Sequence, residues 1–360
     1  MKKACLLLFI FTLPLLCSSN SIASELTING QASVWAGYAD GCHIGLRYIP
    51  ELRVKQSLTE EKSVDLDFSL KASCSESDTD LDLYRLWLRY MTAQFEARLG
   101  LQKISFGPAR ILRTLMWFDQ IDYRDPLGLT DGVCALLGRY YFLNNANTWV
   151  WVLFGNNDLK GLELFRTDKD KIEFGGRHQF PLPKGEMALS YNSRYIDQAD
   201  WRKKKPAAIT DGLENRLALD GNWDLGIGLW FETSVSKIKL TDEDSLWDEL
   251  LTVGTDYTFD VGPGVHLLLE HFAGSQGSGV YEQDNVSNIS ALSTDFSITM
   301  LDSINAIGYY DWKENKVYAY LGWRRTYDNW LINISVFSSA ENKASTYSGN
   351  GVMFLLTYNH

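Results

Sequence analysis

Long stretches of this chain alternate apolar and polar residues one by one, and that period of two constrains the fold more than any other feature. Leu26, Ile28, Gly30, Ala32, Val34, Ala36 and Tyr38 share one phase, while Thr27, Asn29, Gln31, Ser33 and Trp35 share the other. Val64, Leu66, Phe68, Leu70 and Ala72 alternate with Asp65, Asp67, Ser69, Lys71 and Ser73. Leu225, Ile227, Leu229, Phe231 and Val235 do the same against Gly226, Gly228, Trp230, Glu232, Ser234 and Ser236. Successive side chains of an extended strand point to opposite faces, so each segment has one apolar and one polar face. Many segments outrun the roughly 5 or 6 residues of soluble strands and suit the about 9 to 11 of a tilted strand crossing a bilayer. A hydrophobic share of 45% with 22% charged residues excludes a disordered chain, a collagen or a coiled coil. A net charge of −11 argues against nucleic acid as a partner.

The connections are asymmetric. Tight links are expected at Ser57–Lys62, Met91–Ala93, Asn144–Ala146, Pro181–Lys184, Gly221–Asp224, Val261–Gly264, Asp302–Ser303 and Tyr327–Asn329. Mostly longer, polar ones fall between them, at Ser75–Thr79, Gly107–Thr130, Asn157–Lys169, Asp197–Thr210, Thr241–Asp248, Gly274–Ser290 and Ser339–Gly349. Short turns at one end and long loops at the other predict an all-β fold, a transmembrane antiparallel barrel of about 18 strands. The count falls to about 16 if the weakly phased Asn147–Phe154 and Asn305–Tyr310 are not strands. Tyr38, Trp149, Tyr191, Tyr257, Tyr310, Trp330 and Tyr358 suit interfacial girdles. The phase slips at Tyr84 and Arg85, as at a bulge. Closure leaves no unpaired backbone in hydrocarbon, and a barrel this wide keeps a water channel.

The amino terminus reads as a secretory signal. Lys2 and Lys3 precede the apolar run Leu6–Leu16, and Ser21-Ile22-Ala23 offers small residues for cleavage, so 1–23 is the signal and 24–360 the barrel. The bulk of Leu16 argues against a lipoprotein signal at Cys17. Of the remaining cysteines, Cys42 and Cys74 fall at the same end of neighbouring hairpins and are the pair expected if a disulfide forms; the alternative leaves them and Cys134 unpaired.

The carboxyl end is the most specific segment. Val352, Phe354, Leu356 and Tyr358 hold the phase of a closing strand, with His360 last. There the chain resembles the bacterial outer-membrane porins, which usually end on Phe. The resemblance implies a Gram-negative outer membrane with lipid and lipopolysaccharide around the barrel. It also implies small hydrophilic solutes inside and a monomeric or homotrimeric state. A looser similarity, in Arg98-Leu-Gly-Leu-Gln102, Phe106-Gly107 and Trp117…Asp122, is to the alginate-export family, which passes an acidic polysaccharide through a barrel.

The polar phase carries many arginines: Arg47, Arg53, Arg85, Arg89, Arg98, Arg139, Arg177, Arg194, Arg216 and Arg324. Asp65, Asp67, Asp82, Glu96, Glu173, Glu214 and Glu232 share that phase. One reading is a basic track that offers planar donors to carboxylate or phosphate groups; the other is ion pairing that stiffens the wall. In the long connection at 107–130, Gly107-Pro108 stops the strand and Ala109–Phe118 reads as a short helix. Ile111, Leu112, Leu115 and Met116 would lie on one side of it, Arg110, Arg113 and Trp117 on the other. By resemblance this is the inward constriction loop, with Arg110 and Arg113 facing Asp119, Asp122 or Asp125 across the eyelet; a plug or an outer cap is the alternative.

Nothing in the motifs requires a cofactor, a metal or an enzyme. The chain lacks G-x-S-x-G, a P-loop, C-x-x-C and H-E-x-x-H. A lipid hydrolase would need a base beside a serine, and His271 on the apolar phase is the candidate, given a cross-strand partner. A structural or adhesive barrel would want longer outer loops. Two charged loops suggest peripheral contacts: Arg202-Lys203-Lys204-Lys205 with lipopolysaccharide phosphates, and Asp242-Glu243-Asp244 with calcium. The sequence therefore predicts an outer-membrane channel for small, anionic or sugar-acid solutes.

Overall fold

The computed structural model describes residues 23–360 except 40, 77–78, 198, 201–202, 204–211, 240–244, 281, 283–284, 340–346 and 348. The expected signal up to residue 22, the Asp242–Asp244 acids and, of the basic run, Arg202, Lys204 and Lys205 lie outside the described residues. The strands are β1 (Ala23–Tyr38), β2 (Cys42–Thr59), β3 (Lys62–Ser75), β4 (Thr79–Met91), β5 (Phe95–Gln102) and β6 (Val133–Tyr141). They continue as β7 (Asn147–Leu153), β8 (Glu173–Leu182), β9 (Gly185–Tyr195), β10 (Leu213–Asp224), β11 (Gly228–Lys239) and β12 (Ser245–Phe259). The last are β13 (Val265–Gly277), β14 (Asn285–Ser297), β15 (Asp302–Asp311), β16 (Lys316–Tyr327), β17 (Trp330–Ser338) and β18 (Asn350–Asn359). Each pairs antiparallel with its chain neighbours, and β1 pairs with β18, so the 18-stranded sheet closes without an edge.

The weakly phased β7 and β15 are paired on both sides, which sets the count at 18 rather than 16. The slip in β4 is a bulge: Ser69 opposes Arg85, Leu70 opposes Leu83, and Tyr84 is the extra residue. Two turns sit away from where the residue types suggested. β10 runs through Gly221 and Asn222 to Asp224, and the chain reverses at Gly226 with φ 90°. β14 ends at Ser297, and the next turn precedes Asp302 rather than following it. At Gly221 the missing side chain makes room for the Trp223 ring, 2.8 Å from where a Cβ would stand.

Polarity is inverted relative to a soluble sheet. Outward-phase Leu26, Ile28 and Val150 are exposed, while inward-phase Asp65, Asp67, Glu232 and Glu270 are buried. Only a solvent as apolar as the side chains makes that distribution favourable, so the barrel belongs in a bilayer, and a barrel of this type is an outer-membrane protein. Outward charges such as Lys237 and Arg325 fall near strand ends. Aromatic pairs mark both rims: Tyr310 with Trp312 at one end, Tyr257 with Phe259 and Trp330 with Tyr358 at the other, each with ring centres within 4.8 Å. Trp149 is a correction to the girdle; it points inward and stacks under Arg139 at 3.8 Å.

His360 is tied into the β1–β18 seam. Its backbone N–H and carbonyl pair with Gly30, both at 2.9 Å, its ring meets the Tyr48 hydroxyl at 3.1 Å, and it stacks on Tyr358. Cys42 and Cys74 are free, and no bridge joins them. Cys74 lies opposite Leu46, which places Cys42 roughly 13 Å further along β2, beyond disulfide reach.

Candidate functional site

Between β5 and β6 the chain turns into the barrel rather than outward. The turn begins at Gly107, with φ 95°, where a Cβ would stand 2.2 Å from Glu232 Oε1, so only glycine fits. Glu232 then accepts the backbone N–H groups of Ala109 and Leu115, each at 2.9 Å. Glu270 accepts three consecutive ones, from Arg110, Ile111 and Leu112 at 2.7, 2.9 and 2.6 Å, and the indole N–H of Trp230 at 3.0 Å. Thr252 Oγ1 donates to the Leu112 carbonyl at 2.5 Å.

The helix expected over Ala109–Phe118 is therefore absent. Its amides aim at two wall carboxylates instead of at carbonyls one turn back, and a hydrogen bond to a charged acceptor contributes about 1.5–3 kcal/mol against about 1 for a neutral one. Successive N–H groups curled around an anion form a nest, here filled by the barrel's own side chain.

Apolar contacts complete the seating. Phe106 stacks on Trp151 at 5.8 Å and Phe118 meets its edge at 5.4 Å, in a cluster with Trp117, Val133 and Leu137. Ile111 and Tyr123 pack on the opposite side against Ile307, Tyr320, Phe337 and Tyr347. Arg124 pairs with Asp122 at 2.8 Å and donates to the Tyr347 carbonyl at 3.2 Å. Burial is the largest single influence on that guanidinium and works against its charge, but the hydrogen bond and the negative charge of Asp122, with Tyr309 and Tyr347 nearby, together hold it above its ordinary pKa. Asp125 accepts the N–H groups of Leu127 and Leu129. The loop thus reaches from the β11–β13 wall across the lumen to the β15–β18 wall.

The eyelet residues are arranged differently from the expectation. Arg113 does not face Asp119 across open water; the two form a buried pair within the loop, at 2.7 and 3.1 Å, with further bonds from Arg113 to Ser105 Oγ and the Phe106 carbonyl. Trp117 is core, and Asp122 and Asp125 fix turns. Arg110 is the expected constriction residue that stands exposed, 52% open, 3.7 Å from Asp256 and over the Trp230 ring at 6.0 Å. Beside the loop's start, burial pushes the Lys103 ammonium below its ordinary pKa, partly offset by Asp119.

The wall arginines divide into two groups. Arg89 pairs with Asp65, Arg98 and Arg139 share Glu96, and Arg177 holds Asp220 at 2.7 Å. Arg194 and Arg216 share Glu214 and also Glu163, which comes from the loop after β7. Arg85 donates to the carbonyls of Tyr84 and Thr130, both at 2.6 Å. These side chains stiffen the wall. Arg47 lies half-buried over Trp35, whereas Arg53 is 48% exposed despite bonds to Glu51 and Asp67, and Arg324 is exposed. Glu163, Asp256, His266, Glu270 and Asp295 also belong to this interior and were not singled out from sequence. Glu270 holds the inward phase of β13, the one available signal, but its loop partners lie 158 to 160 residues away.

On the outer wall, His271 Nδ1 meets Ser290 Oγ at 2.9 Å across the β13–β14 pair. The same oxygen accepts the Trp312 indole N–H at 2.9 Å. Among the described residues no group of acids, histidines and cysteines could hold a metal.

No protein-family model and no curated protein matches the chain. Solved structures do. Acinetobacter baumannii OccAB1 aligns with a TM-score of 0.62 at 8% identity, over 95% of this chain and 98% of that one. Pseudomonas aeruginosa OccK5 (OpdH) aligns with 0.59 at 10% identity, over 95% and 99%. An anion-selective porin from Comamonas acidovorans aligns with 0.55 at 14% identity, over 94% and 100%. The fold is that of the outer-membrane porins.

Proposed function

We propose that this protein is an outer-membrane channel for passive diffusion of small hydrophilic solutes, biased toward anionic or sugar-acid ones. The observation that carries the channel is the inverted polarity of a closed 18-stranded barrel whose lumen is narrowed by its own loop. A barrel of this width cannot be filled by wall side chains alone. On the β2 side Arg53 and Arg47 keep partial exposure, as does the guanidinium of Arg110 on the loop, and these are the cations we assign to the passage. Arg110 supports the anionic bias: its contact with Asp256 is long and its planar donors are free to meet a carboxylate. The anion-selective porin among the structural neighbours is consistent with that bias.

The test is the reversal potential across a planar bilayer in a salt gradient. Anion preference that falls by at least half in Arg110→Ala supports the reading. A cation-selective pore indifferent to Arg110→Ala contradicts the charge assignment.

The His271–Ser290 contact favours a second reading, a lipid hydrolase. It is weaker, because Trp312 occupies a lone pair of the serine oxygen and strand pairing leaves no free backbone donors for an oxyanion. Ester cleavage in detergent that disappears in His271→Ala would establish it.

A further inference from the structure

We infer that His266 sets the charge that a passing solute meets at Arg110, so that acidification raises the anion preference of the channel. The inference rests on the channel reading and concerns the regulation of the same site.

His266 lies on the inward phase of β13, below the seat of the loop, and both of its ring nitrogens face carboxylates. Nε2 stands 3.1 Å from Asp256 Oδ2 on β12, and Nδ1 stands 3.9 Å from Asp295 Oδ2 on β14. Asp256 stands within hydrogen-bond reach of the ring, while Asp295 meets it through space; a neutral imidazole offers Asp256 at most one hydrogen bond, and an imidazolium adds a positive charge between the two acids. The site is therefore built for two states. Asp256 is also the acid that the guanidinium of Arg110 pairs with, 3.7 Å away. From the loop, Tyr123 adds its hydroxyl to Asp295 at 3.4 Å, and from β15 Asn305 adds its amide at 2.7 Å. From β11 comes Trp230, whose ring lies beneath Arg110. The charged and titratable groups around the imidazole are thus Arg110, Asp256, Asp295 and Tyr123.

Their sum changes with one proton. With a neutral imidazole the two aspartates outweigh Arg110 by one negative charge; with an imidazolium the cluster is balanced. In the second state Asp256 is engaged by His266, and the guanidinium of Arg110 turns to the solute. Histidine is the side chain that ordinarily changes charge between about pH 5 and 8. His178 and His271 lie on the outward phases of β8 and β13, His360 lies against Tyr48 and Tyr358 at the β1–β18 seam, and His43 lies at the opposite end of the barrel, so none of them stands beside the constriction.

The experiment is the reversal potential in a salt gradient at pH 8 and pH 5.5, for wild type, His266→Gln and His266→Lys. Wild type should gain anion preference by roughly three- to fivefold on acidification, the influence of one unit charge a few ångströms from an ion in a wet passage. His266→Gln should lose most of the acid-induced gain, and His266→Lys should show a value near the acidic one already at pH 8. Conductance with an equal pH response in all three proteins overturns the inference and leaves the channel standing. A folded barrel without conductance overturns both.

Discussion

Glu270 and Arg113 show how single side chains fix the interior. Glu270 is fully buried and saturated by four N–H donors, three of them consecutive loop amides. Glutamine in its place keeps one acceptor and turns a donor toward donors, leaving at least one amide unpaired at a cost of about 1–3 kcal/mol. Glu270→Gln should therefore loosen the loop, and limited trypsin digestion should cut after Arg110 or Arg113 in the variant while sparing wild type; equal resistance would show that the loop does not depend on this carboxylate. Arg113→Ala leaves Asp119 charged, buried and unpartnered, a loss of about 3–5 kcal/mol. Its unfolding midpoint in detergent should drop well below that of Lys316→Ala, which opens only the solvent-exposed pair with Glu314. Equal midpoints would contradict the structural role given to the buried pair.

The loop is the element on which the site turns, and Gly107 is its hinge. A methyl group there meets the Glu232 carboxylate and adopts a backbone conformation that side chains disfavour. Gly107→Ala should leave the barrel folded, as judged by heat-modifiable migration in a gel, yet change single-channel conductance; unchanged conductance would place the constriction elsewhere. The interior position of this loop was legible in its apolar residues, because Ile111, Leu115 and Trp117 have no place on a wet surface. Its backbone was not. The spacing of Ile111, Leu112, Leu115 and Met116 satisfies a helix, but a coil pressed between two walls satisfies it as well. The deciding carboxylates, Glu232 and Glu270, lie more than a hundred residues downstream. The arginines had the same limit. Alternation placed them on the inward phase, yet whether Arg177 meets Asp220 or Arg98 meets Glu96 depends on register and rotamer. The strands themselves were readable, since period two needs no partner to be seen; Gly221 misled because a glycine that admits a tryptophan ring looks like a turn.

For the molecule as a whole, the governing fact is that hydrocarbon touches the outside and water the inside. An outward residue halfway along a strand, such as Leu269, should tolerate isoleucine, but Leu269→Arg should cost about 2–4 kcal/mol, read as a lowered midpoint in refolding titrations from urea into lipid vesicles. A neutral effect would mean that this face does not meet acyl chains. On the proposed reading the same division leaves an aqueous route past Arg110, and that route is tested most directly by the purified, folded protein in a planar lipid bilayer. Stepwise increases in ion current, one for each inserted barrel, are the predicted result. A membrane that holds the heat-modifiable protein yet stays electrically silent would contradict the account.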